Sequence, residues 1–184
     1  MAEREDEIGP IYQGTFPLID VDPHFFRVVR YFRPSDYGCW AGFTALAPAI
    51  VGLVDYSRFA IAAQNNKDTL AAFIRSARQG ATVLGPVPSI LFGLTGGFLF
   101  AYERSAARFL GLSENSREYK KDLRELRIRA RLGKPLYGES QLPSDLQTVS
   151  AAYTRYSSLM LGLFPIFNFV NHPYHGVDTA KYYK

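Results

Sequence analysis

The stretch Gln79–Tyr102, QGATVLGPVPSILFGLTGGFLFAY, is twenty-four residues long and carries no formal charge. As a helix rising about 1.5 Å per residue it would reach roughly 36 Å, enough to cross a hydrocarbon core about 30 Å thick. Its small residues are ordered as well. Ala81, Gly85, Ser89, Gly93, Gly97 and Ala101 recur at every fourth position and would lie along one slowly drifting stripe. Helices in lipid gain little from burying apolar surface against one another, so such small-residue faces are where backbones approach and pack. The other reading of an apolar helix, burial inside a soluble protein, fits shorter runs than this one.

A second apolar run lies upstream. Tyr37–Val54, YGCWAGFTALAPAIVGLV, is eighteen uncharged residues bracketed by Asp36 and Asp55. It is a short but adequate span, with Tyr37 and Trp40 at its entry, where amphipathic rings favour the headgroup level. Ser35 or Asp36 can cap its first amides. Pro48 in this run, and Pro86 with Pro88 in the longer one, predict kinks whose freed carbonyls need neighbours or water. The connection 56–78 has helical character of its own, with Asn65 and Asn66 as a turn and Asp68 as a cap.

Bulk composition hides this pattern. The chain has 184 residues, 47% of them hydrophobic, and a net charge of +4, numbers that suit an ordinary soluble domain. Nearly all the charge, however, lies outside the two windows, and that segregation marks a membrane protein. The positive charge gathers at Arg27–Arg33 and Arg117–Lys134, which favours anionic lipid over nucleic acid as a partner. No RNA-binding sheet motif accompanies the aromatic residues. Cys39 is the single cysteine, so disulfides, iron–sulfur clusters and cysteine-based zinc sites are excluded. The opening MAEREDEIG resembles neither a secretory signal nor an Arg-rich transit peptide, which predicts internal targeting.

Between the N-terminal arm and the first span, DVDPHFFRVVRYFRP predicts a short amphipathic helix with Asp22 as N-cap and Pro23 in the first helical position. Phe25, Val28, Val29 and Phe32 oppose Arg27, Arg30 and Arg33 before Pro34 ends the run. Two placements fit: in the membrane interface with the three arginines on phospholipid headgroups, cardiolipin being the abundant anionic candidate, or docked on a neighbouring protein. Beyond the second span, Ser113 is the expected N-cap of a highly charged helix that stops at Gly133 and Pro135, its charges a solvated face. Ser144 and Gln147 suggest a capping box for a last helix. That helix leads into 157–170, either a third span or an interfacial segment, since its apolar core is short.

The expected fold is therefore an all-α membrane protein. A two-helix transmembrane hairpin (37–102, spans 37–54 and 79–102) is flanked by an N-terminal arm with an interfacial helix (1–36) and by extramembrane C-terminal charged and amphipathic helices (103–184). Catalytic chemistry finds no foothold: Gly93, Gly96 and Gly97 lie within a span rather than in a nucleotide loop. His172 and His175 are separated by a proline and lack a nearby third ligand type. No cofactor or metal is expected.

Two segments resemble a known family. FPLIDVDPHFFRVVRYFRPSDY (Phe16–Tyr37) and RFLGLSENSREYKKDLRELRIRARLGKPLYGES (Arg108–Ser140) are similar, in the same order around a hydrophobic middle, to the fungal twenty-one-kilodalton accessory subunit of mitochondrial NADH:ubiquinone oxidoreductase, respiratory complex I. The resemblance implies a multi-pass accessory component of the membrane arm in the mitochondrial inner membrane. It also implies a chain without catalytic or cofactor residues, partnered by other membrane-arm subunits and phospholipid. Residues alone leave two other classes open: an inner-membrane translocase or channel-like subunit, because small-residue hairpins serve there too, and a membrane-embedded enzyme, which would need a polar intramembrane constellation that the two spans do not offer.

Overall fold

Proline sets the first helix boundary. Pro34 has no amide hydrogen and a φ already near the helical value, so it suits the first turn of a helix. In the computed structural model, which describes residues 14–65, 86–159 and 164–184, helix α1 (Phe25–Arg30) ends just before it and α2 (Pro34–Asn65) begins on it. The remaining helices are α3 (Pro86–Phe109), α4 (Ser116–Arg131) and α5 (Ser144–Thr154), with 3-10 turns at Ser157–Leu159 and Thr179–Tyr182. The fold is all-helical: the described residues contain no strand, only an isolated bridge between His24 and Asn168.

The chain divides into two compact units, one of Pro34–Ala101 and one of Met1–Arg33 with Tyr102–Lys184. In the first, α2 runs unbroken through Pro48 for 32 residues. Over Pro34–Arg58 it is, among the described residues, the one helix long and apolar enough to cross a membrane. The expected second span is described only from Pro86, so Ala81, Gly85 and the connection 66–78 lie outside the described residues. Large apolar side chains of both helices face outward, including Leu46, Ile50, Leu53, Leu91 and Phe92.

The second unit is built differently. Ile19, Val21, Val28, Phe109, Leu110, Leu126 and Tyr182 are buried in it. Gly111, at φ +71°, turns the chain beyond α3 so that its carbonyl accepts from the Phe16 amide at 3.0 Å. Only glycine suits that site, because a Cβ would meet the Phe16 backbone. Further contacts draw the last segment onto the first: the Val21 amide donates to the His175 carbonyl at 3.2 Å, and the Phe25 amide to the Asn168 carbonyl at 2.7 Å. Phe25, Tyr102 and Phe167 form a ring cluster with centroids 4.8–5.6 Å apart.

Several sequence expectations shift. Asp22 does not cap α1, because its buried carboxylate is taken by His172 and Thr154; the His24 ring accepts from the Phe26 amide instead. The N-cap of α4 is Asn115 rather than Ser113, and the Glu114 carboxylate receives the Ser116 amide at 2.9 Å. Ser144 opens α5 without a capping box; the Gln147 amide donates to the Pro143 carbonyl. The segment 157–170 makes no third spanning helix among its described residues, which hold a 3-10 turn followed by non-helical chain through Pro165 and Asn168.

Candidate functional site

Two sets of residues stand out, one in each unit. In the hairpin unit the small-residue stripe of α3 is buried where it is described: Ser89, Gly93, Gly97 and Ala101 are covered, while Ile90, Leu91, Phe92 and Leu94 are exposed. A Cβ on Gly93 would lie 2.6 Å from the Phe43 carbonyl oxygen and 2.9 Å from the Ala47 Cβ. On Gly97 it would lie 2.8 Å from the Phe43 Cβ and 2.9 Å from the Trp40 carbonyl oxygen. Partners on α2 thus fall in number as α3 advances, so the helices run antiparallel with backbone against backbone. The Trp40 indole adds a bond to the Leu94 carbonyl at 2.8 Å, satisfying its one polar atom inside an apolar pair. Gly96, next to Gly97, meets nothing within 4 Å, and neither do Gly38 and Gly42.

In the other unit, spacing of three along residues 27–33 presents Arg27, Arg30 and Arg33 together, and each finds carboxylates on or just before α4. Arg27 pairs with Asp20 and Asp122. Arg30 pairs with Glu125 at 2.5 Å, and Arg33 with Glu118 at 2.6 Å and Glu114 at 2.9 Å. The three guanidiniums, which the sequence offers either to phospholipid headgroups or to a neighbouring protein, each pair with acids of the same chain. Only Arg30 keeps about half its side chain, 53%, open to solvent. The physical reason is complementarity: Glu118, Asp122 and Glu125 recur at spacings of four and three, one face of α4. α4 is consequently not solvated all round; Glu118, Asp122 and Leu126 are buried.

Depth decides the chemistry of each pair. Burial raises the Asp20 carboxyl, but the charges of His175 and Arg27 outweigh it and hold the group below the ordinary carboxylate range. Burial likewise pushes Glu118 upward and is outweighed by its bonds to Arg33, so it too is lowered. Glu114, on the surface, is drawn down to about 2, first by Arg33 and then by Ser116. At Asp122 burial wins, and the carboxyl is raised against Arg27 and the Tyr182 hydroxyl that donates to it at 2.9 Å.

Two histidines complete the cluster. His172 accepts the Tyr174 amide on Nδ1, so its Nε2–H donates to Asp22 at 2.9 Å. His175 places Nδ1 2.7 Å from Asp20 and Nε2 2.6 Å from the His172 carbonyl oxygen, so both ring nitrogens are engaged. The ring stacks on Tyr137 at 3.6 Å and on His172 at 4.6 Å. Among the described residues no group of three His, Cys, Asp or Glu side chains is arranged to hold a metal. Asp20, Arg27, Asp122, His175 and Tyr182 bind three distant parts of the sequence into one body.

A family model described as NADH-ubiquinone oxidoreductase complex I, 21 kDa subunit, matches residues 13–114, more than half the chain. The chain belongs to that family. A second model, the C-terminal part of the NADH-ubiquinone oxidoreductase 21 kDa subunit, matches residues 123–184. A protein of Neurospora crassa described as NADH-ubiquinone oxidoreductase 20.9 kDa subunit is 44% identical over 179 residues, 96% of this chain and 86% of that one. In this complex I subunit the two matched segments are tied directly, since Arg30 of the first forms an ion pair with Glu125 of the second and Asp20 of the first meets the His175 ring of the second.

Sequence reasoning missed the roles of Asp20, Asp122 and the histidines. One signal was present: a basic stripe at 27, 30 and 33 and an acidic stripe at 118, 122 and 125 are complementary in sign and similar in length. Nothing in the sequence places His175 against Asp20, 155 positions away.

Proposed function

We propose that this member of the complex I 21 kDa subunit family is a non-catalytic accessory subunit of the membrane arm, embedded in the mitochondrial inner membrane and contributing to assembly through helix packing and lipid contacts. The observation that carries the reading is the hairpin unit, where backbones meet at Gly93 and Gly97 while Leu46, Ile50, Leu53 and Phe92 face outward. An outward apolar surface on a helix pair is what lipid tails or neighbouring apolar helices cover. On this reading both helices span the bilayer, and the protein is multi-pass. Other membrane-arm subunits, and phospholipid with cardiolipin among it, occupy the outward faces. The charged unit, with Arg27, Arg30 and Arg33 engaged by carboxylates, serves as a rigid body outside the bilayer and carries no electron or hydride.

Blue-native gels of mitochondrial membranes test the assignment. The chain should comigrate with NADH dehydrogenase activity, and its loss should lower the amount of assembled complex rather than turnover per assembled complex. Migration apart from that activity would instead favour the translocase class. Single-cysteine labelling on either side of 34–101 tests the two spans; ends on opposite sides of the membrane would leave only one.

A further inference from the structure

Beside α1 and α4 lies a cleft of about 270 Å³ lined by His24, Phe26, Arg30, Glu125 and Arg129, with Leu126 and Leu136 among its apolar walls. Its charges do not cancel. Arg30 is matched by Glu125 at 2.5 Å. Arg129 gives Nη1 to the Leu136 carbonyl at 2.8 Å, which fixes the side chain, and among the described residues it has no carboxylate partner. A held guanidinium with unmatched charge and further N–H donors, in a concave site with apolar walls, is suited to a bidentate oxyanion. His24 accepts the Phe26 amide on Nδ1 at 3.3 Å, which leaves Nε2 as the ring nitrogen open to a ligand in the same cleft. Phe26 stacks on His24 with ring centroids 5.7 Å apart, yet it is 66% exposed and offers the cleft an open apolar wall.

We propose that this cleft binds a phosphate ester, with the phosphate on Arg129 and flanked by Arg30 and His24, and the carbon part of the ester against Phe26. The volume suits a phosphate with a few carbons, since pockets for larger organic ligands run from about 300 to 1,000 Å³. A phospholipid headgroup and a soluble sugar or glycerol phosphate share this chemistry. The inference deepens the lipid contact of the proposed function but stands on the cleft alone.

The test is native mass spectrometry and calorimetry on the full chain in a non-ionic detergent, with two probes, sn-glycerol 3-phosphate and a short-chain phosphatidic acid. One equivalent should bind. Arg129→Gln should weaken it about tenfold or more, and Arg131→Gln, at the end of the same helix and outside the lining, should leave it unchanged. Binding of phosphatidic acid alone assigns the lipid headgroup as the source; binding of both extends the site to soluble phosphates. Should Arg129→Gln not fold by circular dichroism, Phe26→Glu decides, because it sets a carboxylate at an exposed wall and should weaken binding similarly. Absence of binding by either probe, or equal affinity in wild type and the folded cleft variants, overturns the proposal. A wild-type chain that comigrates with the complex but binds neither probe would remove the site and leave the assembly reading intact; one that binds a probe but does not comigrate would do the opposite.

Discussion

Between Pro34 and Ala101 the chain brings helices together by omitting side chains, whereas the unit of residues 14–33 and 102–184 brings its segments together by burying charges in matched pairs. Gly93 and Gly97 leave room that Phe43, Thr44 and Trp40 fill with backbone. Asp20, Arg27 and Asp122 instead use ionic groups with almost no solvent access. The two strategies fail in different ways. A backbone contact is sensitive to volume and indifferent to pH, while a buried ion pair tolerates little loss of charge on either side.

Removing Arg27 should therefore have the largest effect. Arg27→Gln leaves Asp20 and Asp122 facing each other without their shared cation, and breaking a buried pair by deleting one partner costs about 3–5 kcal/mol. The full chain in detergent should lose the cooperative near-ultraviolet signal of its tyrosines, or unfold at a much lower temperature. A change within about 0.5 kcal/mol of wild type would show that the cluster does not hold the unit together.

The hairpin can be broken with neighbouring glycines. Gly97→Leu forces a side chain against the Trp40 carbonyl and the Phe43 side chain, whereas Gly96→Leu enters open space. Overpacking of this kind costs about 1–3 kcal/mol, so Gly97→Leu, and Gly93→Leu with it, should reduce assembled complex on blue-native gels more than Leu94→Ala does. If Gly96→Leu proves the worst, the face that carries Gly96 meets another subunit and the pairing of α2 with α3 is secondary.

Acid should separate the two units without any substitution. Asp20 and Glu118 are lowered and Glu114 sits at about 2, so the stability they contribute is present above the ordinary carboxylate range and is lost as pH falls through their lowered values. Asp122 is raised; its contribution is present below that range and is lost as pH rises through its folded value, so it softens the acid loss. With three groups against one, the charged unit should weaken as pH drops from about 4 toward 2. Trp40, the single tryptophan, reports the hairpin by fluorescence and should change little over the same range. Parallel loss of both signals would contradict independent units.

How much of this was legible in the sequence follows from the same contrast. The stripe from Ser89 to Ala101 could be read because helical periodicity is local: a spacing of four is enough to put small residues on one face. The charged unit could be read only in halves. The helix around Arg27 and the acids of α4 were visible as separate amphipathic patterns, but their partnership spans some 95 positions, and lone arginines before an apolar run satisfy the pattern for a lipid surface equally well. The caps failed for a related reason. Asp22 and Ser113 have the right residue type at the right place, yet tertiary demand took Asp22 for His172, while Asn115, whose amide donates to the Pro17 and Arg108 carbonyls, became the N-cap instead.

The smallest expected effect sharpens the comparison most, because it holds sequence pattern constant and varies burial alone. Arg30 is one of the same three arginines and meets a carboxylate at 2.5 Å, as regular a pair as Arg27 makes, but its side chain is 53% exposed and that of Glu125 is 31% exposed. Water can replace what the substitution removes. Glu125 also retains the Tyr31 hydroxyl at 2.9 Å, so Arg30→Gln strands no buried charge. Partly exposed pairs contribute about 0–1 kcal/mol and are screened by salt. Arg30→Gln should accordingly shift the unfolding midpoint of the full chain slightly at low ionic strength, and by nothing measurable at about 1 M salt, where the Debye length falls to about 3 Å. Arg27→Gln should remain severe under both conditions. Equal costs for the two variants would mean that the number of ion pairs, rather than their depth, holds residues 14–33 to the C-terminal helices.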